Sequence, residues 1–451
     1  MVRAFALVGV VLACSSAASV DTIVRPPKFD YRMTTLDNGL QVVLLEDHST
    51  PVTHIAVWYH VGSKDEKPGR TGFAHLFEHL MFKGSKNVRP DQHPSWITSI
   101  GGEANAQTDE DTTLYWQTVP SHHLPFVLWL EADRMASLDV SEDKFVTERE
   151  VVKEERRMRF ENQPFGRLPE IIFDNAFATH PYRHQTIGSL VDLEAASIND
   201  VREFHRTYYV PNNATVVIVG DFDSDEAQGL VQRYLGRVPR GKPVPRDIPV
   251  EPTHTMEKVV TTSEAWPLPA VVLSHHITFD GHPDAYPLHI LAKVMSDGDS
   301  SRLYRSLVYE QQVALAAFGE AKLIEHPNLF YMVAIVNPGG QPAAVMQALA
   351  QQVERVKAEG ITAAELNRAK RQFARDYILG RETVRQKALH LGHAAVLHND
   401  ITTADGEFDL FQNVTLEDVQ RVARTYFTDG SRMRLTILPK GNGQAPGGMS
   451  R

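Results

Sequence analysis

The chain has 451 residues, of which 42% are hydrophobic and 23% are charged. This is the composition of an ordinary globular protein, and the length favours two domains of roughly 200 residues each. The formal net charge of −10 argues against a nucleic-acid partner, because proteins that bind nucleic acid carry a basic surface.

The N-terminus has the pattern of a secretory signal peptide over residues 1–20. Arg3 is followed by an apolar run over residues 4–13 and then by small residues. This run is too short to cross a bilayer, and no later segment has the character of a membrane span. We therefore expect export to the bacterial periplasm, with cleavage near residues 17–19. Cys14 is the only cysteine; its surroundings fit a lipoprotein motif poorly, so lipid anchoring is the second expectation.

The next segments predict strands that lead into a short helix with two distinct faces. The pattern predicts a hairpin over residues 31–45 around Asn38-Gly39 and a buried strand over residues 52–61. A polar loop over residues 62–72 follows. The helix begins after this loop and is closed by Gly84.

On this helix, His75, Glu78 and His79 share one face and apolar residues fill the other. Two imidazoles four residues apart can bind one divalent cation, and the adjacent carboxylate can accept a proton from water that the cation activates. The order H-x-x-E-H is the reverse of the commoner H-E-x-x-H. The first hypothesis is a metal-dependent hydrolase, and the alternative is chance occurrence of a short motif.

Two further strands follow the glycine pair Gly101-Gly102. Residues 103–108 and 112–118 alternate in polarity, as strands do. The small side chains of Ala104 and Ala106 would let another backbone approach the first of these strands, which could then accept a peptide as an added strand. A plain edge strand without a ligand explains the same pattern equally well.

Helices are predicted over residues 124–135 and 141–160. On the second, Glu148 and Glu155 are seven residues apart and therefore share a face. Neighbouring carboxylates repel each other unless a cation or hydrogen-bond donors compensate, so this face could supply a metal ligand. Spacing alone does not choose among Glu148, Glu154 and Glu155. The alternative is a solvated helix whose acids pair with its arginines, namely Arg149, Arg156 and Arg157.

The chain also contains an internal duplication. The helix and strand predicted over residues 197–219 recur over residues 415–438 at an offset of 218. In addition, HLFEHLMFKG at 75–84 aligns with HILAKVMSDG at 289–298 at an offset of 214. Both matches keep the apolar positions. The sequence therefore predicts two homologous halves.

The second half has lost the metal-binding pattern. Ala292 replaces Glu78 and Lys293 replaces His79. A protonated lysine cannot bind zinc, so we expect the second half to keep only the scaffold.

These features predict an α+β chain of two homologous tandem domains, each a mainly antiparallel sheet packed with helices. The expected boundaries are residues 21–240 for the metal-binding domain and 257–440 for the degenerate domain. A proline-rich, semi-rigid linker joins them over residues 241–256, and residues 441–451 form a flexible tail.

Together these features resemble the pitrilysin or insulinase family of zinc metallopeptidases, M16, in particular its short bacterial members related to mitochondrial processing peptidase. The resemblance extends over almost the whole mature chain. The matching segments are HLFEHLMFKG at 75–84, GGEANAQT at 101–108, EREVVKEE at 148–155, HPYRHQTIG at 180–188 and YYVPNNATVVIVGD at 208–221. The resemblance implies a LuxS/M16-like metalloenzyme fold that closes as a clamshell when two chains dimerise.

The resemblance also implies roles for individual residues. His75, His79 and Glu155 would bind one Zn²⁺ per chain, because the family places its third ligand 76 or so residues after the second histidine, and Glu155 lies 76 residues after His79. Glu78 would be the general base and Glu148 a supporting carboxylate. The segment that holds the substrate backbone extended would comprise Gly102, Asn105, Ala106, Gln107 and Thr108. The implied activity is zinc-dependent endopeptidase cleavage of peptides or unfolded segments inside a closed chamber.

One departure from the family pattern concerns its second half. Active members supply an arginine and a tyrosine there, seven residues apart, to stabilise the oxyanion. The corresponding positions here are Val308 and Leu315, which cannot donate a hydrogen bond. Arg302 and Tyr309 have the same spacing but precede the register, and we interpret them as structural.

We therefore expect a heterodimer whose homologous partner supplies the arginine and tyrosine, and a homodimer is the second arrangement considered. The alternative function is a peptide-binding or assembly subunit without turnover. The remaining histidine clusters are expected to be structural or at the surface, namely His122-His123, His275-His276, and His180 with His184.

Overall fold

The computed structural model describes residues 25–440. The predicted signal peptide over residues 1–20, including Cys14, and the predicted tail over residues 441–451 lie outside the described residues. The strands are β1 Tyr31–Thr35, β2 Gln41–Glu46, β3 Val52–Tyr59, β4 Glu103–Thr108, β5 Thr113–Pro120, β6 Ala214–Gly220, β7 Lys258–Glu264, β8 Ala270–His276, β9 Ala314–Ala321, β10 Leu329–Val336 and β11 Arg432–Pro439.

The α-helices lie between these strands. They are α1 Phe73–Leu80, α2 Gln92–Ser99, α3 Leu124–Ser137, α4 Glu142–Arg156, α5 Leu168–Ala176, α6 Leu190–Ala195, α7 Ile198–Tyr208, α8 Ser224–Tyr234, α9 Ala285–Ser296, α10 Pro342–Glu359, α11 Ala363–Leu379, α12 Val384–Val396, α13 Thr403–Asn413 and α14 Leu416–Tyr426. Within residues 25–440, no helix combines the length and apolar character that a bilayer span requires.

The strands form two sheets with the same topology. The first sheet has the order β1-β2-β6-β3-β5-β4, and the second has the order β7-β11-β8-β10-β9. Apart from β1, each strand of the first sheet has a counterpart in the second. Each sheet has one parallel pair, β2 with β6 in the first sheet and β7 with β11 in the second. All other neighbouring strands in both sheets are antiparallel. The predicted α+β class with two homologous, mainly antiparallel sheets is confirmed.

The repeated segments also share their local chemistry. Helix α7 begins with a capping box between Ser197 and Asp200, and α14 begins with the same arrangement between Thr415 and Asp418. The glycines that close the duplicated HLFEHLMFKG segment, Gly84 and Gly298, both have positive φ, at 102° and 72°. The offsets read from the sequence therefore correspond to matching turns and caps.

Each sheet has two apolar faces, and a helix from the other half covers one of them. One face of the first sheet packs on α1, α3 and α7, and the other packs on α12 of the second half. Similarly, α5 of the first half covers the outer face of the second sheet. Gly392 permits this contact in α12, because a Cβ there would overlap the indole nitrogen of Trp58 in β3. The two halves are thus interlocked by an exchange of helices.

The connection over residues 241–256 has no helix or strand and follows the surface of the first half. Arg246 donates a hydrogen bond to the carbonyl of His60 at 2.8 Å. Glu251 accepts three backbone N–H groups from residues 178–180, at 2.7 to 2.9 Å. The segment is therefore docked along its length.

Ion pairs join the two halves near these contacts. Lys64 Nζ lies 3.0 Å from Asp111 Oδ1 and 2.6 Å from Glu325 Oε2, and the lysine side chain is 1% exposed. Tyr182 donates its hydroxyl to Asp111 at 2.6 Å and accepts the N–H of His326 at 3.1 Å. Glu325 and His326 belong to the second half, so this buried network fixes the halves against each other.

Candidate metal centre

Helix α1 is positioned by a buried carboxylate from the preceding loop. Glu66 accepts the backbone N–H groups of Gly72 and Ala74, each at 2.8 Å. These are unpaired donors of the first turn, and the N-cap residue, Gly72, has no side chain to bind them. His184 Nε2 lies 3.0 Å from the same carboxylate. The structural role expected for His184 is therefore to hold the group that starts α1.

His75 and His79 of α1 converge with Glu155 of α4. The Nε2 atom of His79 lies 3.3 Å from Glu155 Oε2, and that of His75 lies 3.8 Å from the same oxygen. The two imidazole centroids are 4.9 Å apart and the ring planes are nearly perpendicular, at 72°. His75 is buried, and the other two side chains are half-buried. The structure thus brings together the three residues that the resemblance selected.

Glu148 approaches His79 from the other side of the ring. Its Oε2 lies 3.5 Å from His79 Nδ1, and its Oε1 lies 3.2 Å from Lys83 Nζ. A proton on Nδ1 leaves the lone pair of His79 Nε2 directed towards Glu155, which is the tautomer that a metal ligand needs. Sequence reasoning missed Lys83, although its spacing of four from His79 was an available signal.

The alternative interpretation of α4 as a solvated helix is wrong for Glu148 and Glu155. Glu148 is only 4% exposed. The expected arginine partners bind other acids, in the pairs Arg149 with Glu150, Arg156 with Glu170, and Arg157 with Glu154. Glu155 instead meets Arg159, one turn further along the chain, at 2.8 Å. Glu154 is exposed, so the structure separates the three glutamates that spacing could not.

The titration behaviour of these groups follows from burial and from their contacts. Burial lowers the pKa of His75 to about 4, and the neighbouring His79 adds to the shift. Burial also disfavours the charged form of His79, but hydrogen bonds to Glu148 and Glu155 outweigh it and raise the pKa of that ring to about 9. Burial raises the pKa of Glu78, which makes its carboxylate a stronger base.

The donor set fits a zinc ion. Two imidazole nitrogens and one carboxylate oxygen are a common ligand set of catalytic zinc, with tetrahedral bonds of about 2.0–2.2 Å that place neighbouring donors roughly 3.3–3.6 Å apart. The separations of 3.3 and 3.8 Å from Glu155 to His79 and His75 agree with this requirement within a small side-chain rotation. Three protein ligands leave a fourth position open, and Glu78 lies beside them on α1.

Strand β4 contacts α1 and forms the outer edge of the first sheet, as predicted. Ala104 and Ala106 turn towards the core, whereas Asn105 and Gln107 are exposed. Asn105 Oδ1 accepts the backbone N–H of Ala106 at 2.8 Å. One backbone donor of the strand is therefore covered by the neighbouring side chain, and peptide binding at this edge stays a prediction.

Gly102 and Thr108 lie at the two ends of β4. A Cβ on Gly102 would lie 2.7 Å from the carbonyl oxygen of Thr118, so glycine is required for packing against β5. Thr108 is close enough to Glu78 to oppose the effect of burial on the pKa of that carboxyl. The C-terminal end of β4 therefore lies near the candidate base.

The equivalent position in the second half is occupied by an ion pair. Lys293 Nζ lies 3.0 Å from Asp376 Oδ2 of α11 and 3.2 Å from Asp297 Oδ2. His289, the counterpart of His75, packs edge-on against Phe411, with 5.1 Å between ring centroids. The lysine, which stands where the first half has His79, thus supplies positive charge to the carboxylate of the facing helix.

The positions expected to carry an arginine and a tyrosine offer no hydrogen-bond donor in their side chains. Val308 packs against the core of the second half, and Leu315 on β9 is 61% exposed. Arg302 binds both carboxylate oxygens of Glu365, each at 2.8 Å, which agrees with a structural role. Tyr309 is 75% exposed.

The other histidine clusters have ordinary contacts among the described residues. His122 and His123 are adjacent near the surface, with ring centroids 4.0 Å apart. His180 Nδ1 accepts the N–H of Tyr182 at 3.1 Å. The remaining pair contacts hydroxyl and carbonyl groups, His275 with Ser431 and His276 with Ala176.

Two sequence profiles match consecutive parts of the chain. The profile described as Insulinase (Peptidase family M16) matches residues 41–189, which include the three candidate ligands. The profile described as Peptidase M16 inactive domain matches residues 195–373, which include Lys293. The division between these two profiles agrees with a first half that has the metal-binding pattern and a second half without it.

Similar proteins cover nearly the whole chain. The zinc protease PqqE of Helicobacter pylori is 32% identical over 433 residues, which are 95% of this chain and 97% of that protein. The uncharacterized zinc protease YmxG of Bacillus subtilis is 25% identical over 413 residues, 90% of this chain and 98% of that protein.

The solved structures agree with these similarities. The crystal structure of a protease from Helicobacter pylori has a TM-score of 0.87 and 31% identity, and covers 91% of this chain and 100% of that one. A putative M16-like peptidase from Alicyclobacillus acidocaldarius shares the fold, with a TM-score of 0.78 and 19% identity over 93% of this chain and 100% of that one. The chain is a member of the insulinase family of metallopeptidases, family M16.

Proposed function

We propose that the chain is a zinc-dependent endopeptidase that cleaves peptides or unfolded segments. The observation that carries this proposal is the convergence of His75, His79 and Glu155 beside Glu78. These residues would hold one zinc ion. When bound, zinc acts as a Lewis acid that polarises a carbonyl and makes water more acidic.

The protein residues would supply proton transfer and positioning. Glu78 would accept a proton from the attacking water and deliver it to the departing amine. The raised pKa of this carboxyl favours both steps, since a stronger base takes a proton more readily and the resulting acid lies closer to neutral pH. Glu148 would keep His79 in the tautomer that presents Nε2, and Lys83 would keep Glu148 ionised by its positive charge.

We infer that the substrate binds as an added strand along β4. This strand is at the edge of its sheet and contacts the helix that carries the histidines. Backbone groups on the open edge would pair with an extended peptide through Ala106 and its neighbours. The Asn105 side chain, which now covers the N–H of Ala106, would have to turn away from it.

We propose that the active form contains a second, homologous subunit that supplies an arginine and a tyrosine and closes the chamber. Val308 and Leu315 occupy the two expected positions in this chain, and neither side chain can stabilise an oxyanion. A homodimer is the second arrangement, in which these donors would have to come from other residues.

A quenched peptide assay on the purified chain, with and without a candidate homologous partner subunit from the same organism, tests the proposal. We expect cleavage in the pair and loss of about 10²- to 10⁴-fold in activity on Glu78→Gln, the range for removal of a general base. Glu154→Gln is the control, because Glu154 is exposed and contacts Arg157. Full activity of the Glu78→Gln variant would contradict the mechanism.

The second candidate is a peptide-binding or assembly subunit without turnover. The presence of His75, Glu78, His79 and Glu155 argues against it, whereas the absent arginine and tyrosine argue for dependence on a partner. Its signature would be peptide binding without zinc, together with the absence of cleavage in both samples.

For location, we propose the periplasm on the basis of residues 1–20, with attachment through Cys14 as the alternative.

A further inference from the structure

A second cluster of metal-ligand side chains lies on the second half, away from α1 and α4. Asp280 Oδ2 is 3.0 Å from His398 Nε2 and 3.4 Å from His393 Nε2. The three donor atoms lie within 4.8 Å of one another. The separations resemble those of 3.3 and 3.8 Å between Glu155 and its two histidines.

The three residues come from separate parts of the fold. Asp280 belongs to the segment between β8 and α9, where its N–H binds the carbonyl of Ile324 at 2.8 Å. His393 lies in the last turn of α12, and His398 lies just after that helix. Helix α12 is the one that crosses to cover the first sheet. The cluster therefore joins the C-terminal end of α12 to the β8–α9 segment of the second half.

The hydrogen bonds around His398 determine which ring nitrogen carries a proton. Thr403 Oγ1 donates its hydrogen to the carbonyl of Asp400 at 2.8 Å, so at 2.8 Å from His398 Nδ1 it must accept. Nδ1 is therefore protonated. A neutral ring then directs the lone pair of Nε2 at Asp280 Oδ2, and two lone pairs at 3.0 Å repel each other unless a cation lies between them.

Protons on the Nε2 atoms of both His398 and His393 would also satisfy Asp280 Oδ2, and the zinc content measured below separates that arrangement from a bound metal ion. A divalent metal ion satisfies all three donors at once. The remaining oxygen of Asp280 is already held by the N–H of Gly281 at 2.9 Å, which leaves Oδ2 for the cation. His393 is 43% exposed, so the cluster is accessible for metal exchange from solvent.

We propose that Asp280, His393 and His398 form a second metal site that binds a divalent transition cation of the zinc class. Two imidazoles and one carboxylate suit zinc, cobalt and nickel, and leave a position for water on the exposed side. The cation fastens the exchanged helix α12 at its C-terminal end. It is thus a structural tie between the body of the second half and the helix that covers the first sheet.

The test uses the untagged full chain with His75→Gln and His79→Gln, which removes the candidate catalytic site. After dialysis against Zn²⁺ and then metal-free buffer, we expect one zinc per chain by elemental analysis. The addition of His393→Gln, or independently of the isosteric Asp280→Asn, should reduce the zinc content to near zero. The addition of His123→Gln instead should leave it at one, because that histidine lies in an exposed pair.

Cobalt gives an independent readout. Co²⁺ bound by the doubly substituted chain should show visible d–d absorption that is lost in the His393→Gln variant, while far-UV circular dichroism shows that both variants are folded. Zinc should also raise the melting temperature of the doubly substituted chain, but not that of the chain that carries His393→Gln in addition. The proposal is wrong if the doubly substituted chain retains no zinc, or if His393→Gln and Asp280→Asn leave its zinc content unchanged.

Discussion

His79 is held between two carboxylates, with Glu148 3.5 Å from its Nδ1 and Glu155 3.3 Å from its Nε2. Because one nitrogen cannot both donate to Glu148 and bind a metal, the two acids have different tasks. Glu148 orients the ring, and Glu155 would share the proposed cation with it.

Glu148→Gln should therefore weaken zinc binding by about 10- to 100-fold, the usual cost of losing a partner that orients a metal ligand. The amide can still accept a hydrogen bond but loses the negative charge that Lys83 and His79 share. Competition with a chelator measures the affinity, in a His393→Gln background so that the second cluster does not contribute. Glu154→Gln, one helix face away, should have no effect, and equal affinities for all three chains would contradict this assignment.

Glu66→Gln should destabilise the fold and weaken the metal site together. The buried carboxylate accepts two N–H groups at the start of α1, and an amide can accept with only one of its two atoms. An unsatisfied buried donor costs about 1–3 kcal/mol, which urea unfolding would detect. Glu203→Gln is the control, because Glu203 pairs with Lys67 at the exposed surface. A variant as stable as the native chain would rule out the capping role.

The ion pair between Lys64 of the first half and Glu325 of the second should make the stability of the fold sensitive to acid. Burial alone would raise the pKa of Glu325, but hydrogen bonds to His60 and the charge of Lys64 outweigh it and lower the pKa to about 2. Since the usual value of 4.5 applies in the unfolded chain, the stabilisation is complete above that pH and is lost as the pH falls from 4.5 through about 2. A shift of this size corresponds to about 3 kcal/mol.

Denaturant unfolding between pH 7 and pH 2 measures this effect. Glu325→Gln should lower stability at neutral pH and flatten its decline in acid, because the titrating group has been removed. Glu354→Gln should keep the native pH dependence, since Glu354 is largely exposed and binds only Lys357. If the free energy of unfolding falls equally with pH in the native chain and in Glu325→Gln, Glu325 does not contribute to the acid sensitivity.

Gly392→Ala should loosen the helix that covers the first sheet. The added methyl would overlap the indole of Trp58, and overpacking of this kind costs about 1–3 kcal/mol. Gly406→Ala in α13 is the matched control, because a Cβ there would meet nothing within 4 Å. In an open helical position alanine is favoured over glycine by about 0.5–1 kcal/mol. In thermal unfolding, Gly392→Ala should lower the melting temperature and Gly406→Ala should raise it. Equal changes in the two variants would contradict the close contact.

Local patterns in the sequence predicted most of the elements around the candidate metal site. The hairpin over residues 31–45, the two-faced α1 and the edge strand β4 are each encoded within a dozen residues, by turn residues and apolar periodicity. Glu155 is different, because three glutamates shared the right spacing and only the family register or the packed helices separate them.

Contacts between distant segments could not be predicted in this way. An apolar stripe on α5 or α12 indicates that a face is buried, but nothing in the stripe says which sheet it covers. For the same reason, Asp280 gave no signal that it would meet His393, which follows 113 residues later. The replacement of His79 by Lys293 was readable, but its pairing with Asp376 required the facing helix.

The exchange of α5 and α12 gives a single polypeptide the architecture of a dimer of half-length chains. An isolated half would leave one apolar face of its sheet in water and would associate with another copy that supplied the missing helix. A backbone cut within residues 241–256 should accordingly yield two fragments that remain bound to each other.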